Sequence, residues 1–393
     1  MGSCPEPPAP RAPAPSQPTE HAAGGHRDVP TARLRAVGST LWRGSQPFVA
    51  LGANVWRLQG YFAPVDPHAL RAHGKTWSAI PPGDAADGAR VLARAAAHGL
   101  RTIRYITTGW NPAWLAAWAR RPSEFWRGHD ALFDTAQRCN VTLIPSLAWH
   151  ALPFAALAGE PVQATFQRHT RAHALLLDYV RAYVTRYRDH PAVLMWELGN
   201  EWNLATARGR AENRVFESID HLETAMRIVV DVIKDADPEH LVGSGHAAPA
   251  IDQGRDLERQ KEAFARLNLP VDVASLHIYP THHDPASALG TAPTKAYLEA
   301  MAEVAASELA RPLMVGEFGE SYDAHPEGAF VREVLDAWMN GTFPLALVWS
   351  WMAAASSQAD QLASSVDPQR HPQAAALFKE VASRAPARPA PTP

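Results

Sequence analysis

Eight short apolar runs recur along the chain at intervals of 32 to 54 residues, beginning near Phe48, Thr102, Val141, Val193, Leu241, Val273, Leu313 and Leu345. Each is rich in Val, Ile and Leu and is bounded by turn residues, the pattern of a strand covered on both faces. An interval of that length holds one helix and its connections. Amphipathic stretches fall in these gaps, at 84–98, 124–139, 169–189, 215–235, 294–309 and 328–339. Alternating strands and helices imply a parallel sheet, and eight strands separated by helices is the count of a (β/α)₈ barrel. A doubly wound open sheet is the alternative, but no glycine-rich phosphate loop follows the first run.

The barrel accounts for most of the chain. Residues 1–30 contain eight Pro with Ala, Ser and Gly and no apolar periodicity, which predicts a disordered or polyproline-like linker. Residues 386–393 repeat that composition, so one domain is expected over 31–385. Net charge is −3, which gives no reason to expect nucleic acid or an anionic membrane as partner. No apolar stretch is long enough to span a bilayer, and none follows Met1 as a signal would. The two cysteines form no disulfide framework. Glu6 stands where a myristoylation signal needs Ser or Thr. Cys4 followed by a Pro-rich tether resembles the mature N-terminus of a bacterial lipoprotein, and a free Cys in a tail is an equal reading. The expectation is an extracytoplasmic, monomeric protein.

In a parallel barrel the C-terminal ends of the strands carry the chemistry. Polar and aromatic residues gather at those ends here. Asn54 and Trp56 follow the first run, Arg104 lies in the second with Trp110 beyond it, and Trp149 and His150 follow the third. The fourth, Val193 to Trp202, closes on Asn200-Glu201. His277 and Tyr279 close the sixth, Glu317 the seventh, and Trp349 and Trp351 the eighth. A carboxylate at the end of a buried strand is costly unless the site uses it.

Two facing carboxylates suit glycoside hydrolysis, in which one protonates the leaving oxygen and the other attacks or activates water. The acid needs an apolar or negative neighbourhood, and the nucleophile needs cations and donors. Arg104 and Tyr279 can supply the second environment around Glu317. Any single Glu can instead be the partner of a buried Arg, a reading that suits Glu197 and extends to Glu320. Thirteen Trp fit sugar binding, since an indole face matches the CH face of a sugar ring. Core packing accounts equally well for most of them.

These residues in this order resemble glycoside hydrolase family 5, the cellulase and mannanase family of retaining (β/α)₈ enzymes. Trp196-Glu197-Leu198-Gly199-Asn200-Glu201, Glu317-Phe318-Gly319 and His277-Ile278-Tyr279 carry the resemblance, with Arg104 in the second strand and Trp349 in the eighth. It implies Glu201 as acid/base, Glu317 as nucleophile and Asn200 as the contact to the sugar 2-hydroxyl. His277 and Tyr279 would orient substrate and nucleophile, and Trp349 would lie under the sugar. No cofactor or metal is implied. Trp202 departs from the family, many of whose members have Pro after Asn-Glu, so the following loop differs. Gly52-Ala53-Asn54-Val55-Trp56 leans toward the β-mannanase branch, with β-1,4-glucan as the second substrate. A retaining pair should have carboxyl groups about 5–5.5 Å apart. Two other classes stay open. One is a metal-dependent barrel hydrolase using His277, His282, His283 and Asp284. The other is a barrel that binds carbohydrate without cleaving it.

Overall fold

The structure is a computed structural model that describes residues 32–69, 71–72, 75–76, 83–108, 111–206, 215–250, 253–280, 294–352 and 364–384. The expected tails, Trp110 and the His282-His283-Asp284 cluster lie outside them. No helix among the described residues is long and apolar enough to cross a membrane.

All eight apolar runs form parallel strands of one sheet: β1 (Ala50–Asn54), β2 (Thr102–Ile106), β3 (Thr142–Ala148), β4 (Trp196–Gly199), β5 (Val242–Gly243), β6 (Ala274–Ile278), β7 (Leu313–Phe318) and β8 (Leu345–Val348). Pairing runs in sequence order from β1 to β5 and from β6 to β8, and β8 pairs with β1 through Leu345↔Ala50. Regular β5 is only two residues long. Parallel bridges Gly243↔Val273 and Ala247↔His277 continue it and close the barrel against β6.

Helices α1 (Ala85–Ala97), α2 (Pro122–Arg138), α3 (Arg171–Tyr187), α4 (Ile219–Ala236), α5 (Leu257–Asn268), α6 (Thr294–Ser307), α7 (Ala329–Met339) and α8 (Pro372–Ser383) each follow the strand of the same number. Capping residues fix several starts: the Asp84, Thr170, Ser218 and Asp256 side chains accept from Ala86, His173, His221 and Arg259 N–H. Ser218 accordingly starts α4 at Ile219, later than the 215 expected. Helices α5 and α8 were not foreseen. The α5 stretch is dominated by charge, and only Ala263, Phe264 and Leu267 give it a buried apolar stripe.

Inside the barrel, the N-terminal end is filled by Ile144, Leu194, Met195, Met314, Leu345 and Leu347. An antiparallel ribbon, Leu34–Val37 with Thr40–Arg43, seals that end by adding Leu34 and Leu41 to the same cluster. At ~1.5–3 kcal/mol for each fully buried large aliphatic side chain, this plug is a main source of stability. Its closure leaves the opposite end as the place for a ligand.

Candidate active site

Strand β4 sets the site. Its alternation points Glu197 into the barrel, and Glu197 and Gly199 share that face. Gly199 is required by close approach. A Cβ there would lie 2.2 Å from both Ala148 O and Trp202 Nε1. That approach lets Trp202 fold back under the strand end, where its indole N–H donates to Ala148 O at 3.0 Å and its ring packs on Phe166. Asn203 then clasps the end of β5, accepting from Ala247 N–H and donating to Ala247 O, both at 3.1 Å. Between these anchors Glu201 adopts φ 51°, and its N–H donates to Gly245 O at 2.7 Å. A non-glycine residue held in the left-handed region costs about 1–3 kcal/mol and marks a segment set by its surroundings. Here the anchors at Trp202 and Asn203 flank it.

Arg104 is the hub. It is fully buried, and its guanidinium reaches four partners. Nε donates to both Glu197 oxygens at 2.9 and 2.8 Å. One terminal nitrogen donates to Asn54 Oδ1 at 2.9 Å and Glu317 Oε1 at 2.6 Å, and the other to Asn200 Oδ1 at 2.9 Å. The Trp149 ring lies under the guanidinium carbon at 4.6 Å, a cation–π contact. Burial opposes the charge of Arg104, but Glu197 and Glu317 outweigh it and hold the guanidinium protonated. Asn54 also donates to Gly316 O at 2.9 Å, tying β1 to β7.

The two strand-end carboxylates meet above this hub. His277 Nδ1 is 3.1 Å from Glu201 Oε1 and 3.5 Å from Glu317 Oε1. Ligating atoms of Glu201, His277 and Glu317 all lie within 4.8 Å of one another. The nearest carboxylate oxygens are therefore close, as in a retaining pair, and far from the roughly 6.5–9.5 Å of an inverting one. These three groups could also hold a cation, though the carboxylates already have donors. The Tyr279 hydroxyl donates to Glu317 Oε2 at 2.6 Å. Burial, with the neighbouring charge of Glu201, holds the Glu317 carboxyl above its ordinary range, while His277, Arg104 and the Tyr279 hydroxyl oppose that rise without cancelling it. The Glu201 side chain is 26% exposed against 5% for Glu317, so the two sit in different surroundings.

Trp56, Trp149, Trp349 and Ile106 form one buried cluster at this mouth with Tyr279 against it. Trp149 and Trp349 stack at 6.3 Å with 26° between their planes. Four other indoles among the described residues are packing residues. Trp114, Trp196, Trp338 and Trp351 are fully buried, and Trp196 donates outward to Asp237 at 2.8 Å. His150 sits edge-on to Trp149. Glu197 is the ion-pair partner of Arg104, as its mid-strand position suggested. Glu320 corrects the matching expectation: it accepts from Val331 N–H at 2.9 Å at the start of α7. Gly328 provides no side-chain cap there, so a distant carboxylate serves. Trp149 joins the site as the ring beneath Arg104, and His246 lies beyond the fifth run, whose residues after Leu241 and Val242 are Gly and Ser and carry no signal for a site side chain.

A model described as glycoside hydrolase family 5 β-mannosidase-like matches residues 151–342, which include both carboxylates. Residues 151–342 are thus a glycoside hydrolase family 5 mannosidase-like region. Mannan endo-1,4-β-mannosidase 7 of Oryza sativa subsp. japonica is 25% identical over 354 residues, 80% of this chain and 83% of that protein. A second rice protein, assigned to the same series as number 5, is 28% identical over 207 residues, 47% of this chain but only 40% of that protein. Among solved structures, the endo-1,4-β-mannanase of Rhizomucor miehei matches with a TM-score of 0.68 at 14% identity, covering 90% of this chain and 99% of that one. The exo-β-1,4-mannosidase of Opitutaceae bacterium strain TAV5 matches at 0.62 with 19% identity, covering 89% and 62%. At such identities these structures show the (β/α)₈ barrel fold and no more.

Proposed function

We propose that this family 5 domain is a retaining endo-β-1,4-mannanase, with Glu201 as acid/base and Glu317 as nucleophile. The observation that carries this reading is the close approach of two carboxylates in unlike surroundings. Glu317 is ringed by donors from Arg104, His277 and Tyr279, which suits an anion that attacks carbon. Glu201 is the more open of the two and meets His277, which suits a group that hands a proton to the leaving oxygen and then activates water. In the first step Glu317 attacks the anomeric carbon while Glu201 protonates the departing sugar. In the second, water deprotonated by Glu201 releases the glycosyl group with net retention. Asn200, held by Arg104, would meet the 2-hydroxyl, and Trp56 and Trp349 would flank the ring. Names of the relatives favour mannan over β-1,4-glucan. An extracytoplasmic location is part of the proposal, supported by substrates too large to enter a cell.

Azide rescue tests the roles. In Glu201→Ala, an activated aryl mannoside should still glycosylate Glu317, and azide, which needs no base, should give the β-azide. In Glu317→Ala, azide in the vacated space should give the α-azide. The α-product from the first variant and the β-product from the second would reverse the assignment. A panel of mannan, glucomannan, carboxymethylcellulose, xylan and mixed-linkage glucan with resolved product sizes tests substrate and mode. Monosaccharide as the sole early product would replace endo with exo action.

A further inference from the structure

Below the carboxylates, two buried polar atoms face the space over Gly316. Register between β6 and β7 runs Leu276↔Val315 and then His277↔Glu317, so Gly316 is an extra, bulged residue. Ser275 lies two residues before His277 and shares its face of the strand. A Cβ on Gly316 would lie 2.9 Å from His277 Nε2 and 3.1 Å from Ser275 Oγ. Both atoms are buried, and neither has a hydrogen-bond partner among the described residues. Leaving such groups unmatched is costly, so a partner is expected.

We propose that the Ser275 hydroxyl donates to His277 Nε2 through one bridging water, and so holds the imidazole with its proton on Nδ1. Ser275 is then a positioning residue for the acid/base, a conclusion that rests on the role proposed for Glu201. His277 is neutral at working pH: burial draws it down to about 4, Glu317 and Glu197 pull the other way, and Arg104 sides with burial. The remaining titratable neighbour, His246, gives its backbone carbonyl to His277 N–H at 3.0 Å and is itself lowered to about 3 by burial and by His277. A neutral imidazole carries one N–H. On Nδ1, that N–H donates to the carboxylate oxygens of Glu201 and Glu317. On Nε2, it would leave the Nδ1 lone pair facing them, ready to accept from Glu201 the proton that the leaving oxygen needs. A donor at Nε2 removes that competitor. Gly316 is what keeps Ser275 and His277 within reach of each other.

The test uses full-length protein with ¹⁵N-labelled histidine, His277 being identified from its loss in His277→Gln. The wild type should show a protonated Nδ1 and an unprotonated Nε2, and Ser275→Ala should shift both signals toward a mixture. In turnover, Ser275→Ala should lose about tenfold on β-1,4-mannooligosaccharides, whose leaving group needs the acid, and stay within about twofold on a dinitrophenyl mannoside. Gly316→Ala, whose methyl wedges the two side chains apart, should behave like Ser275→Ala, and Ser275→Thr should restore the wild-type pattern. Unchanged ¹⁵N signals in Ser275→Ala, or equal losses on both substrates, would overturn the proposal. If the wild type cleaved neither substrate, the mannanase reading would fail while the ¹⁵N spectra still decided the tautomer.

Discussion

The two ends of this barrel are built from the same eight strands and obey opposite rules. At the N-terminal end Leu34, Leu41, Ile144, Leu194, Met195, Met314 and Leu347 pack as a dry plug. At the C-terminal end Asn54, Arg104, Glu197, Asn200, His277 and Glu317 form a buried polar network. One strand can serve both: β8 gives Leu347 to the floor and leads into Trp349 at the mouth. The floor tolerates imperfect fit because apolar contact is non-directional, and its energy is spread over many side chains. The mouth tolerates little. Its members are charged, buried and mutually dependent, so removing one strands the others. Stability and chemistry are thereby divided along the barrel axis, and substitutions at the two ends should fail in different ways.

The largest effect is expected at Arg104. Arg104→Met leaves Glu197 buried without its partner, a loss of about 3–5 kcal/mol, and removes the cation beside Glu317. We expect kcat/KM to fall by roughly 10³-fold or more even where the variant is folded, because the nucleophile and Asn200 both lose their anchor. Arg104→Lys keeps the charge but not the planar fork that reaches Glu197, Asn54, Glu317 and Asn200 together, so it should recover little activity. Kinetics at a temperature well below each variant's Tm check this. An Arg104→Lys enzyme near wild-type rate would show that charge alone, and not the fork, organises the mouth.

The same contrast explains what could be read from the residues in order. Every strand was visible, because a run covered on both faces must be apolar whatever its neighbours are. Glu201 and Glu317 were visible because carboxylates at the ends of such runs need a reason. Helices α5 and α8 were not, since a surface helix needs only a narrow apolar stripe and α5 buries only Ala263, Phe264 and Leu267 as apolar residues. The hub was half visible. Arg104 was expected near Glu317, and Glu197 was expected to pair with an Arg, but one guanidinium bridging β1, β2, β4 and β7 depends on strand register. The same limit hid Trp149 under that guanidinium, His246 beyond a two-residue strand, and the use of Glu320 as a cap for α7.

A smaller effect, and of the other kind, is expected at the floor. Leu347 is fully buried and inward-facing in β8. Leu347→Ala should cost about 2–4 kcal/mol through lost transfer energy and the cavity left behind. The C-terminal mouth is formed by other residues, so kcat/KM at moderate temperature should stay within about twofold of wild type. Denaturant unfolding and kinetics on the same preparation check both statements. A large rate loss with little loss of stability would mean that the floor's packing sets the strand register that aligns Glu201 with Glu317, and the division between the ends would be wrong.

The smallest effect concerns pH, and it separates the ends again. The mouth holds a buried neutral histidine, His277, whose pKa is drawn down to about 4 chiefly by burial. In the unfolded chain the same group titrates near its ordinary value of about 6.5. Between those limits the unfolded state binds a proton that the native state does not, so stability is fully present above about 6.5 and falls as pH drops toward 4. One such group contributes a slope approaching 1.4 kcal/mol per pH unit in that window. His277→Gln removes the group and should flatten the acid limb of a stability–pH curve by up to that amount, whatever it does at neutral pH. His246 and His129, lowered to about 3 and about 4 by burial, keep the remaining slope positive in the variant. Leu347→Ala shifts the whole curve down and leaves its slope unchanged, because it alters no titrating group. Should His277→Gln keep the full wild-type slope, His277 would be taking up its proton in the folded protein, and the neutral imidazole at the centre of this mouth would have to be abandoned.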